Sequence, residues 1–103
     1  MRNKVNGFDW DAVNLEKCRK HGVAIEEIES LFYGQVDVFP DFAHSVVETR
    51  FLGIGRTSAG RNLFVAFTLR AKAGLNFIRP ISARYMHLKE VKHYEAEVAR
   101  RKN

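Results

Sequence analysis

The chain has 103 residues, 46% of them apolar and 28% charged, and no apolar run near the roughly 20 residues of a bilayer-spanning helix. It therefore reads as one globular domain, residues 1–103, rather than as a disordered or membrane-spanning polypeptide. The net charge of +5 is unevenly divided: residues 1–51 hold six Lys/Arg against nine Asp/Glu (net −3), and residues 52–103 hold eleven against three (net +8). A half this basic suits a polyanionic partner, because phosphates release counterions when they meet Lys and Arg. It equally suits a solvated basic surface, and charge alone leaves both readings open. Met1-Arg2-Asn3-Lys4-Val5-Asn6 has charge without an apolar stretch behind it, which predicts no secretory signal. The single cysteine, Cys18, has no partner for an internal disulfide, and together these features predict a cytoplasmic location.

Phe8–Asp11 alternates apolar and polar residues and predicts a short strand, with Asp11 placed to cap the helix that follows. That helix runs from Ala12 to about His21, with Lys17, Arg19, Lys20 and His21 complementing its C-terminal dipole and Gly22 ending it. Ile25, Ile28, Leu31 and Phe32 share one face of a second helix, opposite Glu26, Glu27 and Glu29, and Gly34 stops it. Val36–Phe39 reads as a strand halted by Pro40, and Asp41–Ser45 as a polar loop. A β-meander follows: Val46–Gly55, a turn at Thr57-Ser58-Ala59-Gly60, Arg61–Arg70, a turn at Ala71-Lys72-Ala73-Gly74, then Leu75–Ser82. Leu63, Val65, Phe67 and Leu69 share the parity expected of a core face, with Phe64, Ala66, Thr68 and Arg70 on the other. Pro80 inside the last strand predicts an edge or a bulge. From Met86 to about Lys102, Leu88, Val91, Tyr94 and Val98 recur at helical spacing, predicting a third helix packed on the sheet. Helices segregated from a mostly antiparallel sheet define the α+β class.

Metal binding finds little support. Cys18 and His21 form one compact ligand pair where a structural zinc site needs four ligands, and Glu90 with His93 gives half of a two-part di-iron motif. Cys18 reads as a small buried hydrophobe. A Cys18–His21 nucleophilic pair lacks a third, orienting group. Gly53-x-Gly55 is not followed by the Gly-Lys-Ser/Thr of a phosphate loop. What stands out is arginine in strand positions: Arg50, Arg56, Arg70, Arg79 and Arg84, with Glu48 the one nearby carboxylate. They make a wet sheet face or a phosphate-binding one, since the guanidinium fork matches phosphate oxygens. Glu48 and Arg50 share parity and can pair. RNA is cut without a metal when its 2′-hydroxyl attacks the neighbouring phosphate, given groups that move protons and groups that stabilise the anionic transition state. Lys20, His21 and Glu48 are candidates for the first role, and Arg56, Arg79 and Arg84 for the second. For His21 the plain alternative is a helix C-terminal residue that complements the dipole.

These residues also carry a family resemblance. Trp10-Asp11, Asn14, Lys17-Cys18-Arg19-Lys20-His21-Gly22-Val23 and Glu27-Ile28-Glu29 resemble the N-terminal signature of BrnT toxins. Asp41, His44-Ser45, Glu48, Arg50-Phe51, Gly55-Arg56-Thr57, Gly60-Arg61, Phe67-Thr68 and Arg70 resemble the middle block. Ile78-Arg79-Pro80-Ile81-Ser82-Ala83-Arg84, Glu90 and Tyr94-Glu95 resemble the closing strand and helix. The resemblance implies a RelE-like fold with two N-terminal helices, a β-meander and a C-terminal helix. It also implies a metal-independent endoribonuclease toxin that needs no cofactor, arrests translation and is neutralised by a BrnA-like ribbon-helix-helix antitoxin. DNA would then be met only through the antitoxin. Lys20, His21, Glu48, Arg50, Arg56, Arg79 and Arg84 match the family's polar positions, which makes Lys20, His21, Glu48, Arg50 and Arg56 catalytic candidates and Arg70, Arg79 and Arg84 candidate phosphate binders. The chain departs from the family at Pro80, usually aliphatic, and at Tyr85-Met86-His87, usually more basic. The competing readings are a non-catalytic module of the same fold and a basic RNA-binding protein unrelated to toxins. The site is expected where Lys20 and His21 meet Glu48, Arg50, Arg56, Arg79 and Arg84 on one exposed surface. Strict alternation sets Arg79 opposite Ser82 and Arg84, which makes it the weakest member.

Overall fold

The computed structural model describes residues 5–44 and 48–101. In chain order it contains β1 (Gly7–Phe8), α1 (Ala12–Arg19), α2 (Ile25–Tyr33), β2 (Val36–Pro40), a 3-10 turn (Phe42–His44), β3 (Phe51–Arg56), β4 (Asn62–Lys72), β5 (Leu75–Tyr85) and α3 (Leu88–Arg101). Five strands form one sheet in the order β1-β5-β4-β3-β2. The class is α+β, as the pattern predicts. The sheet is antiparallel apart from β1, which pairs in parallel with β5 through Gly7↔Phe77 and Phe8↔Ile78.

Local chemistry explains most boundaries. The Asp11 carboxylate accepts the Asn14 N–H at 2.8 Å, so the chain leaves β1 early and Trp10-Asp11 serve the helix start instead of a longer strand. Trp10 Nε1 donates to Glu29 at 3.1 Å and ties this turn to α2. Gly22, at φ 72°, takes the left-handed conformation that ends the first helix, whose regular part stops at Arg19. The β4–β5 hairpin is tighter than its sequence suggests. Ala73 and Gly74 have φ 52° and 77°, the paired positive values of a two-residue turn, so β4 runs past the expected Arg70 end to Lys72; at its far end β5 continues past Ser82 to Tyr85, which pairs with Leu63. Strand β3 is shorter than the Val46–Gly55 expectation. Val46 lies outside the described residues, Glu48–Arg50 is irregular, and pairing begins at Phe51.

Helices α1 and α2 cover one face of the sheet. The core joins Cys18, Val23, Ile28 and Leu31 to Leu63, Val65, Phe67, Ile78 and Ala83. Phe67 is its centre, with Phe32 edge-on at 5.0 Å and Phe51 stacked at 5.6 Å. Burial of an apolar side chain of this size contributes about 1.5–3 kcal/mol. Gly55 is a packing requirement, since a Cβ there would stand 2.8 Å from the Gln35 carbonyl oxygen and 2.9 Å from Leu31. Leu69 has core parity but remains 40% exposed, because it lies towards the hairpin end of the sheet.

Pro80 marks a bulge, one of its two expected settings. Ala66 pairs with Ser82 and Phe67 with Pro80, which leaves Ile81 as one extra residue in β5. Both Pro80 and Ile81 are buried against the core side. Asn76 and Ile78 turn their carbonyls toward the β1 side, accepting from Asn6 and Asp9 at 2.7 and 2.8 Å. Pro80 shares their parity and lies beyond the end of β1, so its missing N–H breaks no ladder bond.

Helix α3 lies over the opposite face and is held more loosely than its apolar period predicts, with no fully buried residue. Polar contacts tether it: Tyr94 donates to Asp37 at 2.5 Å, and Arg101 lies 3.4 Å from the same carboxylate. Burial and the Asp37 hydrogen bond push the Tyr94 phenol up to about 12. Between helix and sheet runs a groove of about 680 Å³ lined by Phe39, Ile54, Phe64, Met86, His93 and Tyr94, among others.

Candidate functional site: the open face of the sheet

Strand register decides which arginines meet. On β4, Asn62, Phe64, Ala66, Thr68 and Arg70 share the face away from α1 and α2. Opposite them stand Arg56 on β3 and Arg84, Ser82, Arg79 and Phe77 on β5. Arg79 and Arg84 are an odd number of residues apart, so regular alternation would separate them. The extra residue of the bulge restores them to one face, correcting the opposition that strict alternation predicts. Arg56, Arg70, Arg79 and Arg84 therefore share one face, with small Ala66 and Ser82 between the Arg84 end and the Arg70–Arg79 end.

Each of these arginines meets a carboxylate that lies far away in sequence or on another element. Arg84 grips Glu90 with two parallel bonds of 2.9 Å and lies 4.5 Å from the centre of the Phe64 ring. Glu90 also accepts the His87 N–H at 2.8 Å, the returning half of a capping box at the start of α3. The Arg84 hydrogen bond, helped by that backbone donor, holds the Glu90 carboxyl down at about 2. Arg56 is 3.6 Å from Glu95 and well exposed. Arg79 donates to Asp9 at 2.7 and 3.1 Å and reaches Asp11 at 3.6 Å. Burial opposes the Asp9 charge, yet hydrogen bonds from Lys72 and Arg79 hold its carboxyl below the usual range. Arg70 pairs with Glu48 at 3.2 Å, a partner that sequence parity does not suggest. Arg50 sits one residue before the Phe51↔Phe67 pair, and its carbonyl accepts the Asp41 N–H at 2.9 Å.

Lys20 and His21 sit at the end of α1, which packs along β5 on the covered face. Both are exposed. Strand register puts Arg56, Arg70, Arg79 and Arg84 on one face, with Glu48 at Arg70, whereas Lys20 and His21 end a helix that packs on the other face. Cys18 is fully buried, and burial pushes its thiol up to about 11, which leaves it inert as a nucleophile. Among the described residues, no group of three or more His, Cys, Asp or Glu side chains could hold a metal ion.

Sequence reasoning named Glu48 but missed the other carboxylates that answer the arginines. Glu90 reads from sequence as an exposed helix residue, although its place three residues after His87 is a capping signal that could have marked it. Asp9 gives no such signal, because its partners Lys72 and Arg79 become neighbours only through the parallel β1–β5 pairing.

Fold and site together define a small α+β protein that gathers arginines on the open face of a five-stranded sheet. The family model for BrnT, the ribonuclease toxin of type II toxin–antitoxin systems, matches residues 10–90, and the chain belongs to this family. A search among curated proteins finds no match.

Proposed function

We propose that this chain is a metal-independent endoribonuclease toxin that binds RNA across the open face of the sheet. The observation that carries the proposal is the gathering of Arg56, Arg70, Arg79 and Arg84 on one face of a chain of the BrnT family. The arginines, together with Arg50, hold phosphates and offset charge in the transition state. Glu48, already at Arg70, takes the proton from the attacking 2′-hydroxyl. A proton must also reach the leaving 5′-oxygen; with Lys20 and His21 apart at the end of α1, it comes from solvent at the exposed face. The products are a 2′,3′-cyclic phosphate and a 5′-hydroxyl. Glu48 and solvent supply the proton transfers and the arginines the charge stabilisation, so the reaction calls for no metal or cofactor.

The same proposal takes the chain as one RelE-like domain acting in the cytoplasm to arrest translation. Its partner is a BrnA-like ribbon-helix-helix antitoxin through which it meets DNA. The absence, among the described residues, of a helix long and apolar enough to cross a membrane is compatible with that setting. A second reading draws on the ion pairs: with Arg56, Arg70, Arg79 and Arg84 each engaged by a carboxylate, the chain is a non-catalytic module that binds the antitoxin alone. Regulated expression with RNA profiling separates the two. Growth arrest with new 5′-hydroxyl RNA ends, reversed by the antitoxin, supports the ribonuclease. Unimpaired growth with confirmed folded protein supports the module.

A further inference from the structure

The open face has one feature that its ion pairs do not explain. Thr68 is only 1% exposed, and its hydroxyl has no hydrogen-bond partner; the buried Nε of Arg70 also has none. Buried polar atoms are nearly always paired, and two unpaired ones on side chains two residues apart on the same face of β4 call for an explanation. Arg79, directly across the ladder from Thr68, cannot satisfy the hydroxyl while it is committed to Asp9 and Asp11. Arg70 uses Nη2 for Glu48 and leaves Nε idle. A hydroxyl and a guanidinium N–H two residues apart on one face of a strand offer two donors to the oxygens of one anion, and a tetrahedral oxyanion can also take Nη2. Valine would fill the Thr68 position with the same shape and no unpaired hydroxyl, so packing alone gives no reason for threonine.

We propose that Thr68 Oγ1 and Arg70 Nε form an anion subsite that holds a non-bridging oxygen of an RNA phosphodiester, making Thr68 a substrate-contacting residue. The proposal rests on the ribonuclease reading for the identity of the anion. The entering phosphate replaces the Glu48 carboxylate at Arg70 Nη2. Glu48 is thereby released beside the phosphate, placed to receive the proton of the adjoining 2′-hydroxyl. Thr68 and Arg70 thus couple substrate binding to release of the base.

The test uses the full chain and a mixed-sequence 2′-O-methyl oligoribonucleotide, which binds without being cut. Thr68→Val should weaken binding about tenfold or more, while Thr68→Ser, which keeps the hydroxyl, stays within a few-fold of the parent. Thermal melts of Thr68→Val should match or exceed the parent, because the variant loses an unpaired buried hydroxyl. Equal RNA binding by Thr68→Val and the parent overturns the subsite while leaving the ribonuclease reading intact. Titration with inorganic phosphate, followed through the Arg70 Nε–H resonance, is the independent arm and decides the matter if Thr68→Val does not fold. A saturable shift supports the subsite even if the parent neither binds nor cuts RNA, in which case it is the ribonuclease reading that falls. No RNA binding and no phosphate response overturns both.

Discussion

The two faces of β4 obey different rules. Leu63, Val65 and Phe67 point into a closed core under α1 and α2, where each contact is with apolar side chains brought there by alternation and helical period. Phe64, Ala66, Thr68 and Arg70, interleaved with them along the same strand, face a surface where arginines are balanced by carboxylates from the turn after β1, the Glu48–Arg50 segment and α3. The covered face determines whether the chain folds. On the open face, local balance between ions determines what the folded chain can hold. A charge on that face belongs to a pair whose other half was contributed by topology, so its environment has to be read in three dimensions.

Substitutions on either side can sharpen or break this contrast. The largest expected effect is on the covered face: Phe67→Ala should cost about 3–5 kcal/mol, because it empties the centre of the aromatic cluster. Urea denaturation would measure it, and a loss below about 1 kcal/mol would mean that the core is not organised around Phe67. On the open face, Arg84→Ala should leave urea stability nearly unchanged, because Arg84 is partly exposed, yet lower RNA cleavage on the order of 10²-fold. Unaltered cleavage with purified protein would remove Arg84 from the site.

Arg79 tests where the contrast blurs, since it holds Asp9 and Asp11 and thereby fixes β1 and the start of α1. Arg79→Ala should therefore cost stability as well, about 1.5–3 kcal/mol for hydrogen bonds to a charged group. If only cleavage changes, its tie to β1 is energetically idle.

The smallest effect concerns pH. Glu90 has its folded pKa depressed from 4.5 to about 2 by Arg84 and the His87 N–H, so its stabilising contribution is complete above 4.5. That contribution is lost as the pH falls toward 2. Glu90→Gln should flatten the acid limb of a pH–stability curve in that interval, and an unchanged slope would show that the exposed pair is screened.

Most of the covered face was legible from the sequence. The apolar period of Ile25, Ile28, Leu31 and Phe32 and the alternation of Leu63, Val65 and Phe67 are local signals; Ile28, Leu31, Leu63, Val65 and Phe67 are fully buried, Phe32 packs against them, and Ile25 is half-buried. Leu69 is the exception, since parity cannot tell how far the helices extend over a strand. On the open face the arginines were visible but their partners were not. Ion pairs such as Asp9–Arg79 and Glu48–Arg70 join residues 70 and 22 positions apart, and no local pattern marks them. Lys20 and His21 show the same limit. Their residue types suit proton transfer, but which side of the sheet a helix covers is not written in the helix. Thr68 appeared in a family motif and on the polar parity of its strand, but its isolation from hydrogen-bond partners is a three-dimensional fact.

Ile81 has a consequence beyond local shape. A strand is a two-stroke signal, and one additional residue shifts its phase by half a period for everything downstream. Arg79 and Arg84 are in phase only because Ile81 is inserted between them. Removing that single residue would leave the composition of β5 almost untouched, yet it would turn either the arginine before it or the Ser82–Arg84 pair after it toward the hydrocarbon interior. Spacing in this strand is therefore as much under constraint as residue identity. Among related chains, a gap or insertion between the two arginines should be far rarer than a substitution at any position between them.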